Sequence, residues 1–105
     1  MEITFFYIPI GSESAAIDLG DLAIEKKLAA CSNVFPIHSA FPWNGKLEKE
    51  NEFVFVLKTI PSLSISLRTL IEEHHPYDTP CIMSWNAKVN ESYGKWMMEQ
   101  LAVSS

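Results

Sequence analysis

The side chains of this sequence best equipped for chemistry are Cys31, Cys81, His38, His74 and His75. Thiolate and imidazole together suit soft or borderline ions such as Cu(I), Cu(II) or Zn(II). Cys31 follows a helical stretch and opens an extended one, and Cys81 follows Pro80. His74 and His75 are adjacent, but Pro76 disfavours helical geometry at His75, so the two rings should point apart and form no simple chelate. His74 is expected to pack against its helix, whereas His75 sits where a helix end meets the Pro76-Tyr77 turn and is the better ligand. The candidate metal set is therefore Cys31, His75 and Cys81. Against it stand the ordinary roles of these residue types: a buried, inert thiol for each cysteine and a turn-stabilising hydrogen bond to a backbone carbonyl for His75. His38 lies on an extended run with no second ligand near it in sequence, and there is no CxxC, HxxxH or HExxH spacing, so a closed structural zinc site is not expected.

A second group combines charge with aromatic rings. Lys58 ends an apolar run, where its ammonium either snorkels to water or meets an anionic group in a cleft between subunits. Together with Trp43, Lys46, Glu52 and Tyr77 it makes a candidate ligand-binding set for such a cleft. The chain holds three Trp and three Tyr, and interfaces favour these rings because one end can be apolar and the other wet. Catalysis finds little support. There is no G-x-S-x-G elbow, P-loop or G-x-G-x-x-G, and only four glycines. A grouping of Cys31, His75 and Asp78 has nothing in its spacing behind it. No enzyme is expected.

The elements that must position these residues are legible in outline. Ile3 to Ile8 is a nearly unbroken β-branched and aromatic run, as in a central strand, closed by Pro9, Gly11 and Ser12. Ser12 to Leu28 carries apolar residues at helical spacing, with Lys26 and Lys27 late in it. Asn33 to Trp43 reads as a long strand that Pro36 and Pro42 should distort or confine to an edge. Asn44-Gly45 is a strong hairpin signal. The return strand, Lys46 to Thr59, is solvated over Glu48-Lys49-Glu50-Asn51-Glu52 and apolar on both faces over Phe53-Val54-Phe55-Val56-Leu57. A second helix opens at Pro61-Ser62 and stops near His74. A fourth strand spans Cys81 to Trp85, and Asn90-Glu91 begins a last helix presenting Tyr93, Trp96, Met97 and Leu101. The order βαββαβ with a trailing helix is the split βαβ pattern: one α+β domain over residues 1–105, ferredoxin-like, with one antiparallel sheet and both crossover helices on one face. The hairpin arms are about twice the usual strand length of ~5–6 residues. One copy cannot cover them, so the hairpin is expected to serve trimerisation, closing a ring that removes open edges.

Composition narrows the partners. Of 105 residues, 48% are hydrophobic and 20% charged, ordinary for a globular domain, and only the last few are expected to be disordered. The net charge of −5 with dispersed acids offers no basic stripe for phosphates, so nucleic acid is not an expected partner. No apolar run approaches the ~20 residues of a membrane span, and the N-terminus lacks a basic leader, so a cytoplasmic location is expected. Two cysteines are too few for a disulfide framework and should be free thiols.

Five stretches taken together resemble one family. Lys27-Leu28-Ala29-Ala30-Cys31-Ser32-Asn33, Trp43-Asn44-Gly45-Lys46, Glu52 with Lys58-Thr59, His75-Pro76-Tyr77 followed by Pro80, and Tyr93 with Trp96 are similar to the successive signatures of the CutA divalent-cation-tolerance family, in register over nearly the whole chain. The resemblance implies a ferredoxin-like protomer, a homotrimer like that of PII signalling proteins, a role in tolerance and response to divalent metal ions, and copper binding as in some members. Copper or another divalent cation is then the expected ion, with no cofactor obligatory. Cys81 stands where the family usually carries an acid, and a thiol there would shift a site toward copper. The alternative is a PII-like signalling or scaffold trimer that takes a small ligand or a partner protein in its intersubunit clefts.

Overall fold

A computed structural model of the chain describes residues 1–101; the expected disorder of the last few residues falls on 102–105, outside the described residues. Four strands, β1 (Glu2–Ile10), β2 (Cys31–Trp43), β3 (Lys46–Thr59) and β4 (Met83–Lys88), form one antiparallel sheet in the order β2-β3-β1-β4. Helix α1 (Glu13–Glu25) joins β1 to β2, α2 (Ser64–His74) joins β3 to β4 after a short 3-10 turn at Pro61–Leu63, and α3 (Glu91–Leu101) follows β4. The expected ferredoxin-like order is present.

Helix α1 is bounded by local chemistry at both ends. The Ser12 hydroxyl accepts a hydrogen bond from the Ala15 N–H at 3.2 Å, capping the first turn. At the other end Lys27 adopts φ 58°, Leu28 N–H donates to Ala23 O and Lys27 N–H to Ile24 O, each at 3.0 Å. This is the Schellman closure, made with a lysine at the left-handed position that glycine usually takes. The helix therefore stops short of the expected Leu28.

Alternation along the strands sorts the sheet into two faces. Phe6, Ile8, Ile10, Phe55 and Leu57 point toward α1 and α2, where they meet Ala16, Leu19, Ala23, Leu67 and Ile71 in one buried core. The intervening residues, Phe5, Tyr7, Val54, Val56 and Lys58, point the other way, and α3 lies on that side, since Lys58 Nζ sits over the Tyr93 ring at 5.3 Å from its centroid. Helix α3 covers only part of this face. Phe35, Met83 and Trp85 remain 39%, 47% and 45% exposed there.

The hairpin turn has both central residues at positive φ, Asn44 at 51° and Gly45 at 75°, the condition for a type I′ turn. From Trp43↔Lys46 to Cys31↔Lys58 the β2–β3 ladder is unbroken, so the distortion expected from Pro36 and Pro42 is absent. The reason is parity. Both prolines occupy even positions, whereas the pair flanking a two-residue turn exchanges hydrogen bonds at odd ones, so both imide nitrogens face the free outer edge of β2. Strand β1 ends opposite Phe53, leaving Lys46–Glu52 and its partners as a two-stranded arm. The arm accounts for the longest dimension of 49 Å and a radius of gyration of 14.7 Å, against about 13 Å for a compact chain of this length. Strand β4 also differs from expectation. It begins at Met83 and runs on to Lys88 because β1 offers partners back to Glu2, and the Thr4 hydroxyl donates to Asn86 Oδ1 at 2.8 Å.

Candidate functional site

Cys31, Trp43, Lys46, Glu52 and Lys58 all fall on the face opposite α1 and α2, because residues of matching parity pair across the β2–β3 ladder. Tyr77 reaches the same face from the turn after α2. The set nevertheless separates into three places along it.

The middle place is the most constructed. The Tyr77 hydroxyl donates to Glu52 Oε2 at 2.6 Å, and Glu52 is only 9% exposed. Burial, followed by the hydrogen bond to Glu52 and the charges of Glu52 and then Glu50, pushes the Tyr77 phenol up to about 12. A deprotonated phenol would there face a carboxylate in a poorly solvated setting. His75 positions this tyrosine. Its Nε2–H donates to Pro9 O at 2.8 Å, and its Nδ1 accepts from the Tyr77 N–H at 3.1 Å. The two rings meet edge-on, with centroids 4.7 Å apart. A carbonyl can only accept and an amide N–H can only donate, so the tautomer follows from the partners. Both ring nitrogens are thus engaged, and His75 is buried at 8% exposure. The turn-stabilising role weighed from the sequence is present, and any metal bond from His75 would require breaking one of these contacts. Gly11 completes the arrangement: a Cβ there would lie 3.3 Å from the Tyr77 hydroxyl.

The second place is the row Cys31, Lys58, Phe5 and Trp85 across the sheet. Lys58 leans on Tyr93, Phe5 packs on Trp85 at 4.8 Å, and Tyr93 on Trp96 at 5.5 Å. Cys31 is half-buried, with its thiol directed at Asn33 Oδ1 at 3.7 Å; Cys81 is exposed, and both are free thiols. The third place is the hairpin tip, where Trp43, 63% exposed, pairs with exposed Lys46.

Among the described residues no group of three or more His, Cys, Asp or Glu side chains is arranged to hold a metal ion, so Cys31, His75 and Cys81 are not gathered into one cluster within a single chain. His74, expected to pack against its helix, is exposed, and its Nδ1–H donates to Leu70 O at 2.9 Å. Two participants escaped the sequence reading. Pro9 contributes only a carbonyl, for which no side-chain signal exists; Tyr93 as the seat of Lys58 had one, a ring in the first turns of the helix after the last strand.

A four-stranded antiparallel sheet in this order, with both crossover helices on one side, defines an α+β protein of the ferredoxin-like class. Residues 4–100 match the family model described as CutA1 divalent ion tolerance protein. The divalent-cation tolerance protein CutA of Archaeoglobus fulgidus is 42% identical over 78 residues, covering 74% of this chain and 76% of that one; that of Thermotoga maritima is 30% identical over 96 residues, 90% and 95% of the two chains. Among solved structures, the divalent ion tolerance protein CutA1 from Ehrlichia chaffeensis superimposes with a TM-score of 0.93 at 28% identity over 96% of each chain, and the A. fulgidus protein, described as periplasmic, with 0.91 at 35% identity over 95% of this chain and 99% of its own. The chain belongs to the CutA1 family of divalent-cation tolerance proteins. No described helix is long and apolar enough to cross a membrane.

Proposed function

We propose that this chain acts in tolerance to divalent metal ions as a cytoplasmic homotrimer that binds copper or a similar ion through its free thiols. The observation that carries the reading is the half-covered sheet face, which continues along the two-stranded arm and carries Cys31 and exposed rings at Phe35, Trp43 and Trp85. Family membership supports the metal-related role. The reading is one of binding rather than catalysis. Of the three ligands expected from the sequence, Cys31 and Cys81 remain free to bind, while His75 would have to leave Pro9 O or the Tyr77 N–H. Soft thiolates favour copper over harder ions, and two unpaired cysteines are in keeping with a reducing compartment. No three His, Cys, Asp or Glu side chains of one chain gather around an ion among the described residues, so a site with three or more such ligands would draw on more than one copy. Calorimetric titration with copper tests the reading. Cys31→Ser and Cys81→Ser should each weaken binding, and unchanged affinity in both would overturn it.

A second reading has its own observation. Glu52 is a nearly buried carboxylate whose hydrogen bond comes from a neutral phenol, so a cationic group from a small ligand or partner protein would complete it. The cleft set Trp43, Lys46, Glu52, Lys58 and Tyr77 then acts in a PII-like signalling or scaffold role. Ligands of this kind would raise the melting temperature by linkage; a screen of amines, nucleotides and organic anions with no shift would count against it.

A further inference from the structure

On the helical side of the molecule, opposite the sheet face that both readings above use, α1 and α2 leave an open groove of about 350 Å³ walled by Ile10, Ala15, Leu19, Leu22 and Pro76. Its lining is apolar apart from two exposed side chains, Asp18 and His74. We propose that this groove docks an amphipathic helix of a partner protein, whose apolar face seats between α1 and α2 while lysines or arginines on its flanks meet the acids of those helices.

Charge selects the occupant. Helix α1 carries Glu13, Asp18, Asp21 and Glu25 and no basic residue, and α2 carries Glu72 and Glu73 against Arg68. The two helices therefore hold a net charge of −5, equal to that of the whole chain. Arg68 does not offset this at the groove, because its guanidinium donates to Ser84 Oγ on β4 at 3.1 Å and lies 6.0 Å from the centre of the Phe6 ring. Lys26 and Lys27 come only after the end of α1, past the residues that wall the groove. The helical period puts Asp18, Asp21 and Glu25 on the outward ridge of α1 beside Ala15 and Leu22, and all three are exposed, as is Glu73 next to His74 on α2. A rim of this sign disfavours nucleic acid and anionic lipid surfaces and favours a cationic partner. Helix-in-groove recognition joins the same two features, an apolar seat that gives affinity and a charged rim that gives orientation. A second copy of the chain does not supply the occupant: none of its three described helices is cationic, since α3 sets Glu91 and Glu99 against Lys95.

The probe is a fluorescent synthetic peptide of about 15 residues, long enough for an isolated helix to form, with leucines at i, i+3, i+4 and i+7 spacing and lysines elsewhere. A scrambled peptide of the same composition serves as its control. Fluorescence anisotropy with the full chain should show the patterned peptide binding about ten-fold or more tighter than the scrambled one, the effect of seating at least one more leucine. Asp18→Asn, Asp21→Asn and Glu25→Gln together should weaken binding by about ten-fold, as the loss of three exposed charge pairs would. The same change in net charge made on β1 and α3, with Glu2→Gln, Glu91→Gln and Glu99→Gln, should leave affinity within about two-fold, because distant exposed charges are screened. Methyl resonances of Ile10, Ala15 and Leu22 should shift on titration. The proposal is overturned if the scrambled peptide binds as tightly, if neutralising the α1 ridge leaves affinity intact, if the distant triple weakens binding as much, or if the shifts miss the groove. It is also overturned if those methyl signals change with chain concentration in the absence of peptide, which would mark the groove as a contact between copies. Circular dichroism of each variant shows that the fold is kept. None of the substitutions touches Cys31, Cys81 or Glu52, so failure here leaves both earlier readings standing, and their failure leaves this one standing.

Discussion

Replacing Tyr77 by Phe removes the hydroxyl that donates to Glu52 at 2.6 Å and leaves a carboxylate with 9% exposure without that partner. A hydrogen bond to a charged group is worth about 1.5–3 kcal/mol. A second route to the magnitude is the phenol itself, raised from 10.0 to about 12 in the folded chain, and each unit corresponds to about 1.4 kcal/mol, giving a ceiling near 3 kcal/mol. Tyr77 retains 39% exposure, so solvent screening reduces this, and about 1–2 kcal/mol is the expected loss at pH 8. The sign with pH follows from linkage. The folded state holds the phenolic proton more tightly, so the stabilisation is complete below pH 10 and is lost as pH rises toward about 12. Chemical denaturation of both proteins at pH 8 and again near pH 12 should show a gap in stability that closes at the higher pH, and ultraviolet difference spectra should show one late-ionising phenol missing from the variant. A gap of the same size at both values, or none at pH 8, would refute the reasoning.

Other substitutions test the packing beneath the site. Gly20→Ala would put a Cβ 2.3 Å from Ser32 Oγ and 3.0 Å from Ser32 Cβ, and denaturation should show a loss of about 1–3 kcal/mol from overpacking between α1 and β2. Thr59 is fully buried and its hydroxyl has no hydrogen-bond partner among the described residues; Thr59→Val should be neutral or stabilising by about 1 kcal/mol, since it removes an unsatisfied group at constant shape. Lys27→Gly, which relieves the left-handed residue at the end of α1, should raise stability by about 0.5–1 kcal/mol in the same assay, the strain removed being partly offset by glycine's chain entropy.

The strands were readable wherever alternation and turn chemistry agreed. Asn44-Gly45 announced the hairpin, and the period of two from Lys46 to Lys58 already put Lys46, Glu52 and Lys58 on one face. What the sequence withheld depended on partners distant along the chain. Glu48, Glu50 and Glu52 share a face and a chemistry, yet only Glu52 is buried, because the turn after α2 delivers Tyr77 to it. The partners of the neighbouring histidines were hidden for the same reason. His75 finds the Pro9 carbonyl, 66 residues away, and is consumed by it, while His74 turns back on its own helix and stays exposed. Pro80 beside Cys81 suggested a strand start, but pairing with β1 sets the boundary at Met83 and leaves the thiol in the open connection.

Every part of the proposed role leans on the uncovered sheet face and the protruding arm finding other copies of the chain. Sedimentation equilibrium in dilute solution measures this directly. The account predicts a particle of three times 11.9 kDa that persists on dilution, and a stable particle of 11.9 kDa would contradict it.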